Sequence, residues 1–295
     1  MTELHADYYA DRLVQVETPL VRNEPIARDT LLCRVEAAEI AGRVVPGQFV
    51  MIRMAGHDSP LIGRAFAVWD VISDDDGRPR WIDLVYLRKG TLTTALAAAP
   101  IGSPVVLWGP LGNGFDPRPC DRLIMTAGGI GQTPMLLLGK EAMGVDRYGE
   151  PPRANHWADR VEIIYGARSA DLHAGVDDFR RAGFEVTLCS DDGSVGLAAR
   201  VPDVLAERLQ TIGDTESLRV VTCGPEIMMQ KVAVACEARN VDCQVSMETP
   251  MACGIGICFS CVAKIRQDSA RQPWDYKRTC VEGPIFDAQR IHWDD

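Results

Sequence analysis

Hydrophobic and polar positions along the chain follow three successive patterns. From Arg12 to about Trp108 the apolar residues come in short runs, LVQVETPLV, TLLCRVEA, QFVMIRM, RAFAVWDVI, WIDLVYL and PVVLWG, with Pro, Gly and Asp between them. β-Branched and aromatic runs cut by turn formers predict several short strands, and hence an antiparallel β-barrel or sandwich. The exception is Thr91–Ala99, where Leu92, Ala95, Leu96 and Ala99 share a helical face before Pro100. Beyond Arg122 the pattern changes. Continuous apolar runs at Arg122–Thr126, Val161–Tyr165, Phe184–Cys189 and Arg219–Thr222 alternate with helical spacing at Met135–Met143, Asp177–Ala182, Val201–Arg208 and Glu226–Arg239. Buried strands alternating with helices predict a doubly wound parallel α/β sheet. The polar, Pro-rich stretch Gly144–Asp159 reads as a surface excursion. Three domains follow, at 1–118, 119–245 and 246–295, the last too short to build a sizeable core unaided.

Composition narrows the class. With 46% hydrophobic and 24% charged residues the chain is an ordinary globular protein, and a net charge of −10 argues against general nucleic-acid binding. The N-terminal segment MTELHADYYADR is charged and lacks an apolar signal region, and no run of about 18 apolar residues predicts a membrane span. The expectation is a cytoplasmic protein, in a reducing compartment where the 10 cysteines stay unpaired. Cys33, Cys120, Cys189, Cys223, Cys236 and Cys243 mostly sit in apolar runs and read as small core residues.

The other four cysteines carry the strongest chemistry. Cys253, Cys258 and Cys261 stand as C-x4-C-x2-C, with Cys280 after a spacer of 18 residues. This is the plant-type ligand spacing of a 2Fe-2S cluster. Gly254 and Gly256 suit a loop that wraps anionic sulfur with backbone N–H groups. Zinc is the competitor, but structural zinc favours two C-x2-C pairs or one such pair with histidines, and only Cys258 and Cys261 make a pair. Gln267–Tyr276 is a polar excursion inside the spacer, and Phe286 and Trp293 are apolar anchors near the end.

Weaker signals lie upstream. Arg64-Ala-Phe-Ala-Val68 follows a Pro/Gly turn, and an arginine there suits a diphosphate as well as a solvated strand edge. Lys89-Gly90-Thr91 precedes the short helix, whose free N–H groups suit a phosphate. Gly109–Phe115 is a glycine-rich turn. Gly128-Gly129-x-Gly131 lies between a strand and a helix, where dinucleotide pyrophosphates bind, although the spacing is not G-x-G-x-x-G. Cys223-Gly224-Pro225 also ends a strand, so Cys223 either faces a reactive ring or packs. Asp191–Ser194 also follows a strand, at the end where ligands of open α/β sheets gather, and Arg168 suits a 2′-phosphate or a cap.

Taken together, PGQFVMIRM, RAFAV, KGT, GPLGNGF, AGGIGQTPML, YGAR, SDDGS, TCGPEIM, METPMACGIGICFSC and YKRTCVEGPIFDAQRI resemble the ferredoxin-reductase superfamily. More closely they resemble the family of class 1B dihydroorotate dehydrogenase electron-transfer subunits, from about residue 12 to 293. The resemblance implies an FAD-binding β-barrel, an NAD-binding α/β domain and a 2Fe-2S domain. Arg64 would hold the FAD diphosphate, and Phe66, Ala67 and Val68 would lie along the isoalloxazine with Ala65 in the same strand. Gly90 and Thr91 would bind the FAD phosphates. Gly128, Gly129, Gly131 and Thr133 would receive the NAD diphosphate, with Cys223, Gly224 and Pro225 near the nicotinamide. Cys253, Cys258, Cys261 and Cys280 would ligate the cluster, and no catalytic acid or base is required. The implied partner is an FMN-containing dihydroorotate dehydrogenase catalytic subunit in a heterotetramer of pyrimidine biosynthesis. Cys280 would belong to the docking segment, placing the cluster at the subunit interface. Departures are Ala67, where the family usually has Ser, a shortened run between Tyr86 and Gly90, and the long 144–159 excursion. Two other readings remain: an NAD(P)H–ferredoxin oxidoreductase subunit, and a zinc-stabilised, non-enzymatic binding module.

Overall fold

The computed structural model describes residues 13–56, 60–213, 216–267 and 272–293. The N-terminal segment through Arg12 and residues 268–271 of the spacer therefore lie outside the described residues. Strands β1 (Val14–Ala27), β2 (Thr30–Glu36), β3 (Phe49–Met54), β4 (Arg64–Ser73), β5 (Pro79–Leu87) and β6 (Pro104–Leu111) close a barrel in the order β1-β2-β5-β4-β3-β6. Every pairing in it is antiparallel. Closure satisfies strand edges that would otherwise seek partners. Alternation turns Val35, Val50, Ile52, Val68, Leu84 and Leu107 inward, and Tyr86 joins them. Helix α1 (Ala38–Arg43) was not predicted: at six residues, with only Ile40 and Ala41 buried, it is too short to show a period. Helix α2 (Thr91–Ala98) lies where the sequence places it, burying Leu92 and Leu96.

The second unit is a six-stranded sheet flanked by helices on both faces. In chain order it contains β7 (Cys120–Gly128), α3 (Met135–Ala142), β8 (Ala158–Ala167), α4 (Val176–Arg181), β9 (Glu185–Ser190), α5 (Val201–Thr211), β10 (Leu218–Cys223), α6 (Glu226–Glu237) and β11 (Asp242–Ser246). Helices α3 and α4 pack on one face and α5 and α6 on the other. The remaining elements are a hairpin of β12 (Val262–Arg266) with β13 (Trp274–Arg278), and β14 (Ile285–Asp287). The sheet order is β14-β11-β10-β7-β8-β9, parallel except for β14, which pairs antiparallel with β11. The last segment of the chain thus contributes an edge strand to the middle one.

Two sequence expectations are corrected. Residues Trp274–Tyr276 are not part of a loose excursion but of β13. The 144–159 stretch is more than a surface excursion, because it ties the barrel to the sheet domain. Tyr148 is buried in the barrel core and Trp157 in the sheet core. Arg153 clasps the fully buried Glu141 of α3 at 2.5 and 2.7 Å and donates to the Phe115 carbonyl at 2.8 Å. Lys140 of α3 meets Asp70 of β4 at 2.7 Å across the same junction. A polar composition concealed this role because its few large side chains do the anchoring.

Candidate functional site

A cavity of about 770 Å³ opens between the start of β4, the end of β5, the α2 N-terminus, the turn after β7 and segment 246–251. Arg64, Ala65, Phe66, Ala67 and Gly90 line it. Arg64 is exposed on the rim, its guanidinium donating to the Ile62 and Gly63 carbonyls at 3.1 and 3.0 Å. Phe66 stacks on Tyr86 with centroids 5.6 Å apart, and the Tyr86 hydroxyl donates to Asn23 at 2.8 Å. Val68 does not reach the cavity; it points into the barrel core, and its N–H donates to the Gln48 carbonyl. Thr91 is exposed away from the wall, and Thr93 lines it instead. The Thr93 hydroxyl accepts from the Lys89 and Gly90 N–H groups at 3.0 and 2.9 Å, which fixes the turn into α2. The first-turn amides of α2 have no intrahelical acceptor, the arrangement that suits an anion.

A crevice of about 1310 Å³ runs along the carboxyl ends of the parallel strands. Gly128, Gly129, Gly224 and Pro225 line it. Gly131 does not, and its role is steric: a Cβ there would stand 2.3 Å from the Cys223 carbonyl oxygen. Gly224 has φ +148°, and its missing Cβ would sit 2.9 Å from the Gly128 nitrogen. The turns at 128–131 and 223–225 are therefore pressed together backbone to backbone. Cys223 and Thr133 line the first cavity rather than the crevice. Arg168 and Asp191 line the crevice, whereas the Ser194 hydroxyl is occupied, accepting from the Ala170 N–H at 2.8 Å. Leu87, Lys89, Ile130 and Glu248 border both spaces.

Glu248 is the residue that sequence reasoning missed. It opens onto both spaces, yet the surrounding protein raises its pKa by limiting solvation. The Cys223 thiol is pushed well up, first by burial and then by the charge of Glu248, against a hydrogen bond from Ser246. It is held as a neutral thiol. Glu248 stands two residues beyond β11, a strand that the sequence pattern does not mark, so its place at a strand's carboxyl end gives no signal in the sequence.

The four motif cysteines gather as two pairs. The Cys253 and Cys258 sulfurs lie 3.3 Å apart, and the Cys261 and Cys280 side chains share a hydrogen bond. Ser260 lies 3.1 Å from the Cys258 sulfur and lowers its pKa to about 6. The Cys261 thiol is likewise lowered to about 6 by Cys280, whose own pKa is raised in turn. Among the described residues, no three His, Cys, Asp or Glu side chains close on one point, as a mononuclear zinc site requires. Two thiol pairs, with the Cys258 and Cys261 pKa values lowered, fit a cluster whose two irons would each take two sulfurs. Gly254 and Gly256 adopt φ +74° and +80°; a Cβ on either would stand 2.6 Å from Met51 or Val281. Cys280 is buried with Cys261, and Cys258 is the exposed thiol of the four. The surface position expected of Cys280 therefore belongs to Cys258. Phe49, Ala65 and Met251 line the cavity and also pack in the apolar group around Cys261 and Cys280.

Comparison with known proteins places this geometry. The family model for the iron-sulfur cluster binding domain of dihydroorotate dehydrogenase B matches residues 248–292. The dihydroorotate dehydrogenase B (NAD(+)) electron transfer subunit of Desulforamulus reducens is 30% identical over 271 residues, covering 91% of this chain and 95% of that protein. Its counterpart in Clostridium perfringens is 32% identical over 256 residues, covering 86% and 90%. Among solved structures, an NADH-dependent reduced ferredoxin-NADP oxidoreductase matches with TM-score 0.75 and 23% identity over 94% of this chain and 90% of its own. The ferredoxin NADP+ reductase of Neisseria gonorrhoeae, with bound FAD and NADP, matches with TM-score 0.61 and 17% identity over 88% and 96%. Both likenesses establish the fold.

Proposed function

This chain belongs to the family of dihydroorotate dehydrogenase B electron transfer subunits, and from that premise we propose a path for its electrons. They pass between NAD(H) in the crevice and the FMN of a partner catalytic subunit, by way of FAD in the cavity and a 2Fe-2S cluster on Cys253, Cys258, Cys261 and Cys280. Bound FAD supplies the exchange of electron pairs for single electrons, and the protein supplies placement and electrostatics. We assign residues 1–118 to FAD, 119–245 to NAD and 246–295 to the cluster.

The carrying observation is that neighbouring sites share walls: Leu87, Lys89, Ile130 and Glu248 between crevice and cavity, and Phe49, Ala65 and Met251 between cavity and thiols. Arg64 and the first turn of α2 neutralise diphosphate charge, while Ala65, Phe66 and Ala67 form one wall for a flat ring. Val68 supports that wall from the core. Gly128 and Gly129 bring backbone close to a pyrophosphate, with Gly224 and Pro225 opposite. The neutral Cys223 thiol sits at the partition, where a nicotinamide and a flavin would meet.

Cys258 is flanked by Ile257 and Phe259, 69% and 63% exposed, which supports docking of an FMN-containing dihydroorotate dehydrogenase catalytic subunit there. The resulting heterotetramer would serve pyrimidine biosynthesis. Anaerobic purification tests the reading: the chain should carry flavin and iron and reduce an artificial acceptor with NADH. Affinity capture from the native cell should retrieve a flavoprotein that oxidises dihydroorotate. Absence of both cofactors would overturn the proposal, and capture of a ferredoxin-reducing flavoprotein would replace it with the ferredoxin oxidoreductase reading.

A further inference from the structure

The two thiol pairs are anchored unequally. The deep pair is fixed through Thr279, whose N–H and hydroxyl donate to the Cys261 carbonyl at 2.7 and 2.9 Å. It is also packed among Phe49, Met51, Leu111 and Val281. The outer pair sits on a loop that side chains of two other elements reach by hydrogen bond among the described residues. Arg278 donates to the Gly256 carbonyl at 3.1 Å. The barrel contributes Trp108 of β6, whose indole Nε1–H donates to the Cys253 carbonyl at 3.0 Å.

The indole is itself held firmly. Trp108 pairs in register with Met51 and Gln15 in the barrel wall. Its ring edge presses on Gly63, where a Cβ would approach Cη2 to 2.6 Å. Gly63 immediately precedes Arg64 on the cavity rim, so one ring touches both the flavin-side turn and the first cluster ligand. Groups that orient a ligand from outside the metal shell tune affinity strongly, and losing one typically weakens metal binding roughly 10–100-fold.

We propose that Trp108 is a positioning residue for the outer half of the cluster site, its N–H fixing the backbone of Cys253 so that Cys253 and Cys258 present their sulfurs as a pair. This inference rests on the cluster reading above. Truncation to Ala would also disturb Gly63, so the informative change keeps the ring. Benzothienylalanine at position 108 replaces the N–H by sulfur at nearly constant shape, and Trp108→Phe serves as the encoded variant.

The experiment uses the full chain purified anaerobically with its iron. Cluster loss to a chelator is followed by visible absorbance, and the electron paramagnetic resonance of the reduced cluster is recorded. Both variants should lose iron roughly tenfold faster and show altered g-values. Thermal melting of the iron-free benzothienylalanine chain should match wild type, separating positioning from folding. Wild-type loss rates and g-values in the isostere would overturn the inference while leaving the cluster reading intact. A wild-type chain that binds no iron would overturn both.

Discussion

Cys261 and Cys280 lie under apolar side chains from the barrel, whereas Cys253 and Cys258 ride on a loop flanked by exposed Ile257 and Phe259. The motif treats the four thiols as equivalent ligands, yet the fold divides their work. The deep pair is tied to stability, because its surroundings are shared with the barrel. The outer pair is the more exposed one, and little of the core depends on its neighbours. A cluster held as proposed would have one half in the core and the other at the surface, a short route outward that would not loosen the whole domain.

The largest effect expected from this contrast comes from Cys280→Ala, which removes a ligand and opens a buried void beside Val281. The purified variant should lack cluster absorbance and acid-labile sulfide altogether. Retention of wild-type iron would show that the deep pair is not a ligand pair. Met51→Ala keeps every thiol but hollows the contact under Gly254, and should cost about 2–5 kcal/mol in urea unfolding. A cost below about 1 kcal/mol would mean the cluster domain folds independently of the barrel.

On the outer half, Phe259→Asn should leave stability nearly unchanged. Phe259 occupies φ +55°, a conformation that asparagine accepts more readily. Relief of roughly 1 kcal/mol of strain offsets the exposed cation–π contact with Arg278, 5.2 Å from the ring centroid. That contact contributes roughly 0.5–1 kcal/mol. Affinity for the catalytic partner should nevertheless fall about tenfold, on the order of 1.4 kcal/mol, in a binding titration. Equal affinity would move the docking surface elsewhere.

The smallest effect belongs to Glu248, at the opposite end of the segment leading to the cluster. The cavity walls limit its solvation and raise its folded pKa, so the carboxyl favours the protonated form more in the native state than in the unfolded chain. Its contribution is fully present below the unfolded pKa and is lost as pH rises through the folded one. Glu248→Gln should therefore melt like wild type in acid and increasingly above it toward neutral pH. A gap that opened toward acid would contradict the assignment.

Much of the fold was legible because its signals are local. Period-two runs marked the barrel strands, and the strand–helix alternation marked the parallel sheet. The missed elements lacked such signals. Helix α1 and β14 each span fewer than two periods, and β11 is defined by its neighbours in the sheet. At the candidate site, Arg64, Ala65, Phe66, Ala67, Gly90, Gly128 and Gly129 stand on the expected walls. Thr133 and Cys223 line the cavity, beside the turn where Gly131 meets the Cys223 carbonyl backbone to backbone.

The sequence by itself determined the ligand spacing of the cysteines, the glycines their loop requires and the change from barrel to alternating sheet. Each of these is a consequence of chain periodicity or of the backbone freedom of one residue type. Tertiary structure alone decided which thiols are deep, that Tyr148 anchors a polar stretch in the barrel, and that β14 completes a sheet begun over 160 residues earlier. It also brought Trp108 to the Cys253 carbonyl. Burial and pairing of that kind depend on surfaces contributed by segments far apart in the chain, and no local pattern encodes which surfaces will meet.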